Sequence, residues 1–223
     1  MNNELTLIIP AKNEPESLPK VLDELKNYEF NIKVILHKTD IKTIQAINDM
    51  NVEIIYQTNF GYGDALITGI NNCTTKYFCI FNADGSFNPS ELKHMLSYIV
   101  NGNYDFVFGS RYQKNSGSED DTVITLVGNY IFTAIGNIFF KLNITDILYT
   151  FVIGKTADAQ SLNLSKKDFS FCVELPIKAK RNNKKMVSFS CYERKRIAGT
   201  KKVNAFKDGF LILFSMIKFF FKK

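Results

Sequence analysis

Asp84 is the residue whose type and position point most directly to chemistry. It follows an apolar run at residues 77–81 that predicts a buried strand, within the sequence NADG at residues 82–85. Doubly wound sheets bind their ligands at the carboxyl ends of such strands. A carboxylate there suits Mg2+ or Mn2+, which take one or two carboxylates together with a ligand's phosphates. The alternative is that Asp84 and Gly85 only form the turn into the next helix.

Polar residues follow other predicted strands in the same way. The loops after the first, second, fourth and fifth strands contain Asn13 and Glu14, residues 37–40, residues 82–86, and residues 109–112 with Arg111. Because the carboxyl ends of parallel strands share one edge of a sheet, we expect these loops to converge on one cleft. The acidic, serine- and glycine-containing segment 115–121 is predicted to be a mobile loop beside it, as lids often are.

The alternation of strands and helices predicts the elements that position these loops. Apolar runs at residues 5–9, 32–36, 52–56, 77–81 and 105–108 are interpreted as strands, and residues 16–27, 41–50, 63–72 and 90–100 as helices. This order is typical of an α/β fold with a doubly wound, mostly parallel sheet and helices on both faces. Further helices are predicted at residues 125–142, 174–181 and 205–221, and strands at residues 147–153 and 186–192.

The chain is expected to form one domain over residues 1–203, followed by an amphipathic helix at residues 204–223. Phe206, Phe210 and Phe214 lie near helical spacing, with lysines alongside. This stripe is typical of a core or an inter-subunit face, so a homo-oligomer is one expectation. Its aromatic density and lysines are also a signature of peripheral membrane contact. No run reaches the roughly 18 consecutive apolar residues of a spanning helix, the nearest being residues 209–221.

Basic charge is concentrated toward the C-terminal end. The chain has 28 lysines and arginines and 22 acidic residues, for a net charge of +6. Residues 176–223 hold 14 of the basic residues but only two acidic ones. This concentration suits a phosphate-bearing ligand, an anionic membrane surface or a nucleic acid. No nucleic-acid-binding module is recognisable, so nucleic acid is not an expected partner.

The cysteines indicate the compartment. Four cysteines without a C-x-x-C pair, together with two histidines, favour neither a zinc site nor a disulfide framework. A reducing, cytoplasmic environment fits best. The first residues lack the basic region and cleavable apolar segment of a signal peptide, so secretion is not expected.

Six motifs occur in a specific order along the chain. They are LIIPAKNE at residues 7–14, GYGDALITGI at 61–70, FNADGSFNPSEL at 81–92, GSRY at 109–112, FCVELPIKAKR at 171–181 and RIAGTKK at 196–202. The set resembles the family-2 inverting glycosyltransferases of the GT-A type, and among them the dolichyl- or polyprenyl-phosphate sugar synthases. The resemblance implies a hexosyltransferase that moves a sugar from a UDP- or GDP-sugar to a polyprenyl phosphate with inversion, at the inner face of the membrane.

The resemblance also implies roles for individual residues. The residues implied to bind the nucleotide-sugar are Pro10, Asn13, Glu14, Asp64, Asn82, Ala83 and Asp84. The metal-binding Asp-x-Asp signature falls on residues 82–84, so Asp84 keeps the one carboxylate and Asn82 offers a neutral oxygen to Mg2+ or Mn2+. The implied catalytic residues are Asp84, Arg111 and Glu174. Arg111, Arg196 and Lys202 are implied to bind the acceptor phosphate or the leaving diphosphate.

These roles imply a mechanism based on positioning and charge. The metal, Arg111 and Lys202 would neutralise the charge that develops on the leaving diphosphate. A lipid phosphate acceptor is already anionic and needs no strong general base. A hydroxyl acceptor would instead need Asp146 or Glu174 to accept its proton.

Departures from the family pattern keep two alternatives open. The second strand ends in HKTD at residues 37–40 rather than in base-reading acidic residues, and Asn82 removes one charge from the metal motif. The arginine that the synthases place soon after GSRY has no counterpart, and residues 146–151 read DILYTF. The alternatives are a glycosyltransferase that uses a glycan or other hydroxyl acceptor in surface polysaccharide synthesis, and a catalytically weakened sugar-nucleotide-binding protein.

Overall fold

A computed structural model describes residues 4–222, and within this range seven strands form the central sheet. They are β1 (Leu5–Pro10), β2 (Asn31–Leu36), β3 (Glu53–Tyr56), β4 (Tyr77–Ile80), β5 (Phe106–Ser110), β7 (Val152–Lys155) and β8 (Met186–Ser190). Two short strands, β6 (Gly117–Ser118) and β9 (Tyr192–Glu193), pair with each other in parallel. Residues 1–3 and 223, which the predicted domain bounds and the signal-peptide expectation include, lie outside the described residues.

The order across the central sheet is β3-β2-β1-β4-β7-β5-β8. β7 runs antiparallel to both of its neighbours, β4 and β5, whereas the other pairs are parallel. β1 connects outward to β2 and β3, and β4 lies on its other side. The order therefore reverses between β1 and β4, where doubly wound sheets open their ligand crevice.

β1 illustrates why continuous apolar runs form the middle of this sheet. Leu5, Leu7 and Ile9 lie in the core on one face, and Ile8 lies in the core on the other. Successive side chains of a strand point to opposite faces, so an uninterrupted apolar run fits a strand that is covered on both sides.

Eight α-helices and two short 3-10 helices, Lys26–Tyr28 and Pro89–Glu91, are described, and the α-helices cover both faces of the sheet. Their bounds are α1 (Leu18–Leu25), α2 (Ile41–Ala46), α3 (Tyr62–Asn71), α4 (Leu92–Val100), α5 (Val123–Phe140), α6 (Thr156–Ser161), α7 (Phe171–Arg181) and α8 (Ala205–Phe221). α1 and α4 contribute to the core on one face, and α3, α6, α7 and α8 to the core on the other. The predicted doubly wound, mostly parallel α/β architecture is confirmed.

α8 packs one face against the body of the molecule. Ile212, Met216 and Phe219 are buried in the core shared with α7. The guanidinium of Arg181 donates to the carbonyl oxygens of Phe219 and, at 2.8 Å, Lys222, and so satisfies carbonyl groups that the end of a helix leaves without partners.

The chain between β5 and β7 differs most from the prediction. The strand predicted at residues 147–153 begins only at Val152. The backbone N–H groups of Ile147 and Leu148 donate instead to side chains of α5, Thr133 at 3.2 Å and Asn129 at 3.4 Å, so they cannot join a strand ladder. Residues 115–121 were predicted as a mobile loop, but they contain β6, whose pairing with β9 fixes this segment. α6 has no predicted counterpart, because six residues are too few to display helical periodicity.

Candidate functional site

The loops after β1 and β2 are fixed to each other at the carboxyl edge of the sheet. The backbone N–H of Asn13, whose φ is 53°, donates to Asp40 Oδ2 at 2.7 Å. The backbone N–H of Glu14 donates to the Thr43 hydroxyl at 3.0 Å. Asp40 also caps α2 by accepting from the Thr43 N–H. Pro10 ends β1, and the start of α2 thus holds the loop that follows it.

The loop after β4 carries residues 82–84, where the resemblance places the metal signature, and its polar groups mostly bind one another. Asn82 Oδ1 accepts from the Phe87 N–H at 3.3 Å, and Asn82 Nδ2 bonds the Ser86 hydroxyl. Asp84 Oδ1 accepts from the Ser86 N–H at 3.0 Å, whereas Asp84 Oδ2 lies 3.5 Å from Nη2 of Arg196. Asn82 therefore shapes the loop, and Asp84 presents one carboxylate oxygen beyond it.

A divalent cation would find a single available carboxylate here. Among residues 4–222, no group of three or more His, Cys, Asp or Glu side chains is arranged to hold a metal ion. Oδ2 of Asp84 still fits Mg2+ or Mn2+, since these cations take one or two carboxylates and complete their shells with water and substrate phosphate oxygens. Asn82 would have to give up its hydrogen bond from Phe87 to become a second ligand.

Residues 194–202 form a basic segment across this edge, which we call the basic strap. Its first residue is an anchor, because Arg194 makes two hydrogen bonds to Glu24 of α1, at 2.8 and 3.0 Å. The backbone N–H groups of Arg194 and Ile197 donate at 2.8 Å to the carbonyl oxygens of Ser86 and Asp84. The strap is therefore fixed to the loop that carries Asp84.

The middle of the strap pairs with the segment before α5. Arg196 binds Asp120 through Nε and Nη2, at 3.1 and 2.9 Å, and Lys201 Nζ lies 3.4 Å from the same carboxylate. Partial burial of Asp120 opposes ionisation, but the two cations outweigh it and lower the pKa of Asp120 below its usual value. Asp120 is consequently held as a carboxylate within the strap's ion-pair cluster.

The end of the strap covers Glu14. This side chain is 7% exposed, accepts from the Ser17 hydroxyl at 2.6 Å, and lies 3.2 Å from Lys202 Nζ. Gly199 has φ 78°, and a Cβ there would lie 3.3 Å from Glu14 Oε2, so the strap backbone passes close to the carboxylate. Asn13, Glu14, Ser17 and Gly199 are among the residues that line a cavity of about 290 Å³.

Arg111 lies on the β5 side of the cleft between two carboxylates, with its side chain 12% exposed. Its Nε and Nη2 bind Asp146 at 2.8 and 3.1 Å, and its Nη1 lies 3.2 Å from Glu193 Oε2. Asp146 is fully buried and also accepts from the side chain of Asn129. Burial opposes the charged guanidinium, but Asp146 and Glu193 outweigh it and raise the pKa of Arg111 well above its usual value. A phosphate at Arg111 would therefore compete with two existing carboxylate partners.

Hydrogen bonds connect the Arg111 side of the cleft to the strap. The Ser118 hydroxyl donates to Glu193 Oε2 and accepts from the backbone N–H of Asp120 at 3.2 Å. Burial raises the pKa of Glu193 above its usual value, despite the nearby Arg111. Because Asp120 in turn binds Arg196, the two sides of the cleft form one network.

Glu174 lies on α7 and holds a separate segment, residues 165–168. Its carboxylate is fully buried and accepts from the backbone N–H of Ser165 at 3.0 Å, from the Ser165 hydroxyl at 2.9 Å, and from the backbone N–H of Lys166 at 2.7 Å. Lys178, one turn along α7, pairs with it at 2.8 Å. Both carboxylate oxygens are thus occupied.

Asp64 binds the other side of the same segment. Its backbone N–H donates to the Lys167 carbonyl oxygen at 3.1 Å, and its carboxylate accepts from the backbone and side-chain amides of Asn59, both at 3.0 Å. A Cβ at Gly61 or Gly63 would lie about 2 Å from a carbonyl oxygen of this segment, so the turn before α3 packs directly against it.

Most of the predicted site residues lie around one cleft. They are Pro10, Asn13, Glu14, Asn82, Asp84, Arg196 and Lys202, with Arg111 linked through the network described above. Ala83 is 4% exposed and belongs to the hydrophobic core beneath the loop. Glu174 and Asp64 contact residues 165–168 instead. Sequence reasoning missed Asp120, Glu193 and Arg194 as members of the network. Asp120 lies in an acidic stretch of the sequence, and Glu193 and Arg194 lie at the start of a basic run. Neither pattern reveals a partner that is distant in the sequence.

α5 and α8 expose a joint apolar surface, which we call the apolar platform. Its side chains are between 38% and 80% exposed, and they are Val123, Ile124, Val127, Tyr130, Ile131, Ile138 and Phe139 of α5 with Phe206, Phe210, Leu213, Phe214, Ile217, Phe220 and Phe221 of α8. The rings of Phe139 and Phe220, 5.6 Å apart, join the two helices. α5 has 18 residues and a mean hydropathy of 1.7, which is long and apolar enough to cross a membrane, whereas the sequence pointed to residues 209–221.

Residues 6–161 match the family model described as Glycosyl transferase family 2. Among named relatives, a UDP-N-acetylglucosamine–dolichyl-phosphate N-acetylglucosaminyltransferase of Methanococcus voltae is 26% identical over 79% of this chain and 80% of its own. An undecaprenyl-phosphate mannosyltransferase of Micrococcus luteus is 24% identical over 88% of this chain and 86% of its own. A match at 27% identity to an uncharacterised protein of Methanocaldococcus jannaschii covers 57% of this chain and only 55% of that protein.

The fold is shared with glucosyl-3-phosphoglycerate synthase of Mycobacterium tuberculosis. Its complex with UDP superposes with a TM-score of 0.77 at 10% identity, covering 98% of this chain and 80% of that one. A complex of the same enzyme with Mn2+, UDP and glucosyl-3-phosphoglycerate gives a TM-score of 0.76. At this identity the likeness establishes the GT-A-type architecture alone.

Proposed function

The chain belongs to glycosyl transferase family 2, and on this premise we propose that it moves a sugar from a UDP- or GDP-sugar to a polyprenyl phosphate with inversion at the anomeric carbon. The chain acts at the cytoplasmic face of a membrane in this proposal. Four free, buried cysteines are consistent with a reducing compartment.

The diphosphate of the donor is placed between Asp84 and the basic strap in this proposal, and the strap must move to admit it, since Asp84 Oδ2 now lies 3.5 Å from Nη2 of Arg196. Arg196 and Lys202 now pair with carboxylates of the cleft, and phosphate oxygens are suitable replacement partners for both cations. Asp84 would hold Mg2+ or Mn2+, which when bound supplies positive charge to the leaving diphosphate. Arg196 and Lys202 stabilise the same developing charge from the strap.

The state of the buried carboxylates favours a phosphate acceptor. A hydroxyl acceptor needs a base within hydrogen-bond reach. Both carboxylate oxygens of Asp146 already accept hydrogen bonds, from Arg111 and Asn129. Both carboxylate oxygens of Glu174 are likewise occupied, by residues 165–166 and Lys178. A phosphate monoester is already an anionic nucleophile, so it can attack without either carboxylate. In this proposal Glu174 positions residues 165–168 rather than contacting substrate.

The observation that carries the acceptor proposal is where the apolar platform begins. α5 starts at Val123, just after the segment whose Asp120 binds the strap, and α8 starts at Ala205, just after Lys202 of the strap. A phosphate held in the cleft can therefore extend a hydrocarbon chain directly onto the platform. Lys218, whose Nζ lies 4.4 Å from the ring centroid of Phe214, adds cationic charge suited to anionic lipid headgroups.

The names of two relatives support the same acceptor class. One carries dolichyl phosphate in its name and the other undecaprenyl phosphate, although their sugars differ. A competing occupant of the platform is a second copy of this chain, which would make it a homo-oligomer interface.

One observation favours a second candidate, a weakened sugar-nucleotide-binding protein. Asn82 stands where the family signature has a charged metal ligand, and its side chain already makes hydrogen bonds to Ser86 and Phe87 in the loop. A metal held by one carboxylate binds less tightly, and turnover falls accordingly. A glycan or other hydroxyl acceptor is the further alternative, and it would require a base outside Asp146 and Glu174.

A donor and acceptor panel tests these proposals. The protein would be incubated with UDP- and GDP-sugars and Mn2+ or Mg2+, with polyprenyl phosphate or with a glycan, and products would be separated by mass. Sugar on polyprenyl phosphate is expected, and sugar on the glycan alone would overturn the acceptor proposal. Nucleotide binding without transfer from any donor would support the weakened protein. Analytical ultracentrifugation with and without detergent micelles would distinguish the two occupants of the platform.

A further inference from the structure

The free edge of β8 differs from the other free edge of the sheet. β8 and β3 are the outermost of the seven strands. Exposed edges usually carry a charge, a proline or a cover that prevents pairing with another chain. β3 carries Glu53, which pairs with Lys33 at 2.6 Å. β8 reads MVSFS, without a charged residue or a proline, and all five of its residues are partly exposed. The edge of β8 is therefore suited to a further strand.

The backbone of β8 directs alternate residues to this edge. The carbonyl oxygen of Lys185 accepts from a backbone N–H of β5 at 3.2 Å, and the backbone N–H of Cys191 donates to a carbonyl oxygen of β5 at 2.9 Å. Backbone groups alternate in direction along a strand, so those of Met186, Ser188 and Ser190 point away from β5. Each of these three residues presents one N–H and one C=O group to the edge.

This set of donors and acceptors is complementary to itself. In an antiparallel pair, every second pair of opposite residues exchanges two hydrogen bonds. If Ser188 lies opposite Ser188 of a second copy, Met186 lies opposite Ser190, and all three outward residues form such pairs. A two-fold axis at Ser188 generates this register, and a two-fold contact closes at the dimer. The same strand of a second copy thus satisfies the whole edge.

Apolar side chains flank the edge on the face that α4 covers. Val187 and Phe189 pack against the core of that face, and the Tyr98 ring of α4 lies 5.4 Å from the Phe189 ring. Tyr98 and Val100 are 40% and 42% exposed. In the register centred on Ser188, Val187 lies opposite Phe189 of the second copy. A pair of one aromatic and one β-branched side chain stabilises an antiparallel contact.

The two ends of the edge carry charges of opposite sign. Lys185, which is exposed, precedes β8. Beyond the other end, Glu91 accepts from the backbone N–H of Tyr192 at 2.9 Å, and Glu119 accepts from the Tyr192 hydroxyl at 3.1 Å. Lys114 adds one positive charge at that end, so one negative charge remains. Antiparallel pairing places the basic end of each copy beside the acidic end of the other, which favours this partner.

We propose that β8 pairs antiparallel with β8 of a second copy, so that two chains form a homodimer with one continuous sheet. The axis of such a pair is perpendicular to the sheet, so each face of the sheet continues into the same face of the second copy. α8 packs on one face with its neighbour α5, and both apolar platforms therefore lie on the same side of the dimer. Two platforms on one side can contact one membrane together, which raises the avidity. The dimer itself does not depend on the proposed function.

Sedimentation velocity of the full chain at several protein concentrations, with and without detergent micelles, tests the proposal. A mass of about twice 25.5 kDa is expected under both conditions, since detergent covers the platforms but not a strand edge. Val187→Lys is expected to raise the dimer dissociation constant by about tenfold or more, because a lysine on an edge strand opposes pairing. Ile54→Lys is the matched control, since Ile54 is also a partly buried residue of an edge strand and packs against the same core. The control should leave the dissociation constant unchanged.

Thiol cross-linking locates the contact independently. The four native cysteines are buried, so an introduced cysteine supplies the reactive thiol. Ser188→Cys is expected to give a covalent dimer with a short bis-maleimide. Tyr56→Cys should not, because it places the thiol on β3, where the original side chain is 52% exposed.

The remaining outcomes would overturn the inference. They are a monomer at every protein concentration, a folded Val187→Lys variant that dimerises as well as the original chain, and cross-linking through Tyr56→Cys in place of Ser188→Cys. A dimer that detergent dissociates would be assigned to the apolar platform, and the contact through β8 would be wrong. None of these results decides whether the chain transfers a sugar. Circular dichroism confirms that each variant is folded.

Discussion

Nη2 of Arg196 lies 2.9 Å from the carboxylate of Asp120 and 3.5 Å from that of Asp84. One guanidinium thus contacts both the segment before α5 and the loop that carries Asp84. A nucleotide diphosphate and its cation bring charges of opposite sign, which can take over both of these partners. Donor binding is therefore expected to rearrange the basic strap rather than to fill a preformed hole.

Asp84→Asn is expected to reduce metal-dependent transfer by about a hundredfold or more, because a Lewis-acidic cation contributes several kcal/mol to charge stabilisation. The melting temperature should change little, since an asparagine oxygen can still accept from the Ser86 N–H. Nucleotide release across a Mn2+ titration measures the effect. Asp49→Asn, at an exposed site outside the cleft, is the control. Full activity in Asp84→Asn would exclude Asp84 as the metal ligand.

Asn82→Asp is expected to lower the Mn2+ concentration for half-maximal activity by about tenfold, because a second carboxylate adds charge to the metal site. The Ser86 hydroxyl can donate to the new carboxylate, so the loop should keep its shape. The measurement is activity, or nucleotide affinity, as a function of Mn2+. An unchanged metal dependence would mean that residue 82 only shapes the loop.

Asp146→Ala is expected to lower the free energy of unfolding by about 3–5 kcal/mol, because it leaves the buried guanidinium of Arg111 without its main partner. Urea denaturation measures the change. Asp23→Ala is the matched control, since it breaks an exposed ion pair with Lys26 and should change stability little. Equal effects of the two substitutions would contradict the structural role of the Arg111–Asp146 pair.

Acid is expected to release the basic strap. The folded-state pKa of Asp120 is lowered, so its ion pairs contribute fully above the unfolded-state pKa near 4 and are lost as pH falls through the lower folded value. Hydrogen exchange of residues 195–202, corrected for intrinsic rates, should therefore accelerate below about pH 4. Asp120→Asn should exchange faster at neutral pH and lose this step. A step retained in Asp120→Asn would assign it to another carboxylate.

The apolar platform is expected to bind vesicles that contain anionic lipid, and less so at high salt. Phe206→Ser with Phe210→Ser should abolish flotation with such vesicles while the fold is kept, because both rings are at least 69% exposed. Removing all of α8 is a poor test, since Ile212, Met216 and Phe219 belong to the core. Flotation of the double variant at the level of the original chain would exclude α8 as the contact.

Elements whose residues form a recognisable hydrophobic pattern could be predicted from the sequence. The strands β1, β4 and β5 are short apolar runs bounded by polar loops, and burial on both faces leaves them no other pattern. β2 and β3 lie toward the open edge of the sheet and are only partly buried, but their apolar runs are also bounded by polar loops. The loop that carries Asp84 was predictable for the same reason, because it follows such a run. The fold class and the edge of the sheet that holds the cleft could therefore be predicted from the sequence.

Pairings between distant segments could not be predicted. The buried position of Arg111 depends on Asp146 and Glu193, which are 35 and 82 residues away. Glu174 resembled a site residue by its motif, yet its contacts with Ser165 and Lys166 exist only in the folded chain. The strand that became β7 was predicted to begin too early, at residue 147, because side chains of α5, rather than a strand ladder, bind the backbone of residues 147 and 148.

β7 runs antiparallel between β4 and β5, and this topology makes one side of the cleft a single continuous segment of the sequence. The chain leaves the sheet after β5 and re-enters it at β7, so Asp120, α5 and Asp146 all belong to one uninterrupted excursion, residues 111–151. The opposite side of the cleft is assembled from several separate loops. Exchanging that single excursion between relatives would replace one side of the cleft as a unit and, through the ion pair between Asp120 and Arg196, would also change how the basic strap is held. If the acceptor extends onto the apolar platform as proposed, a change in this one segment would alter the acceptor side of the cleft.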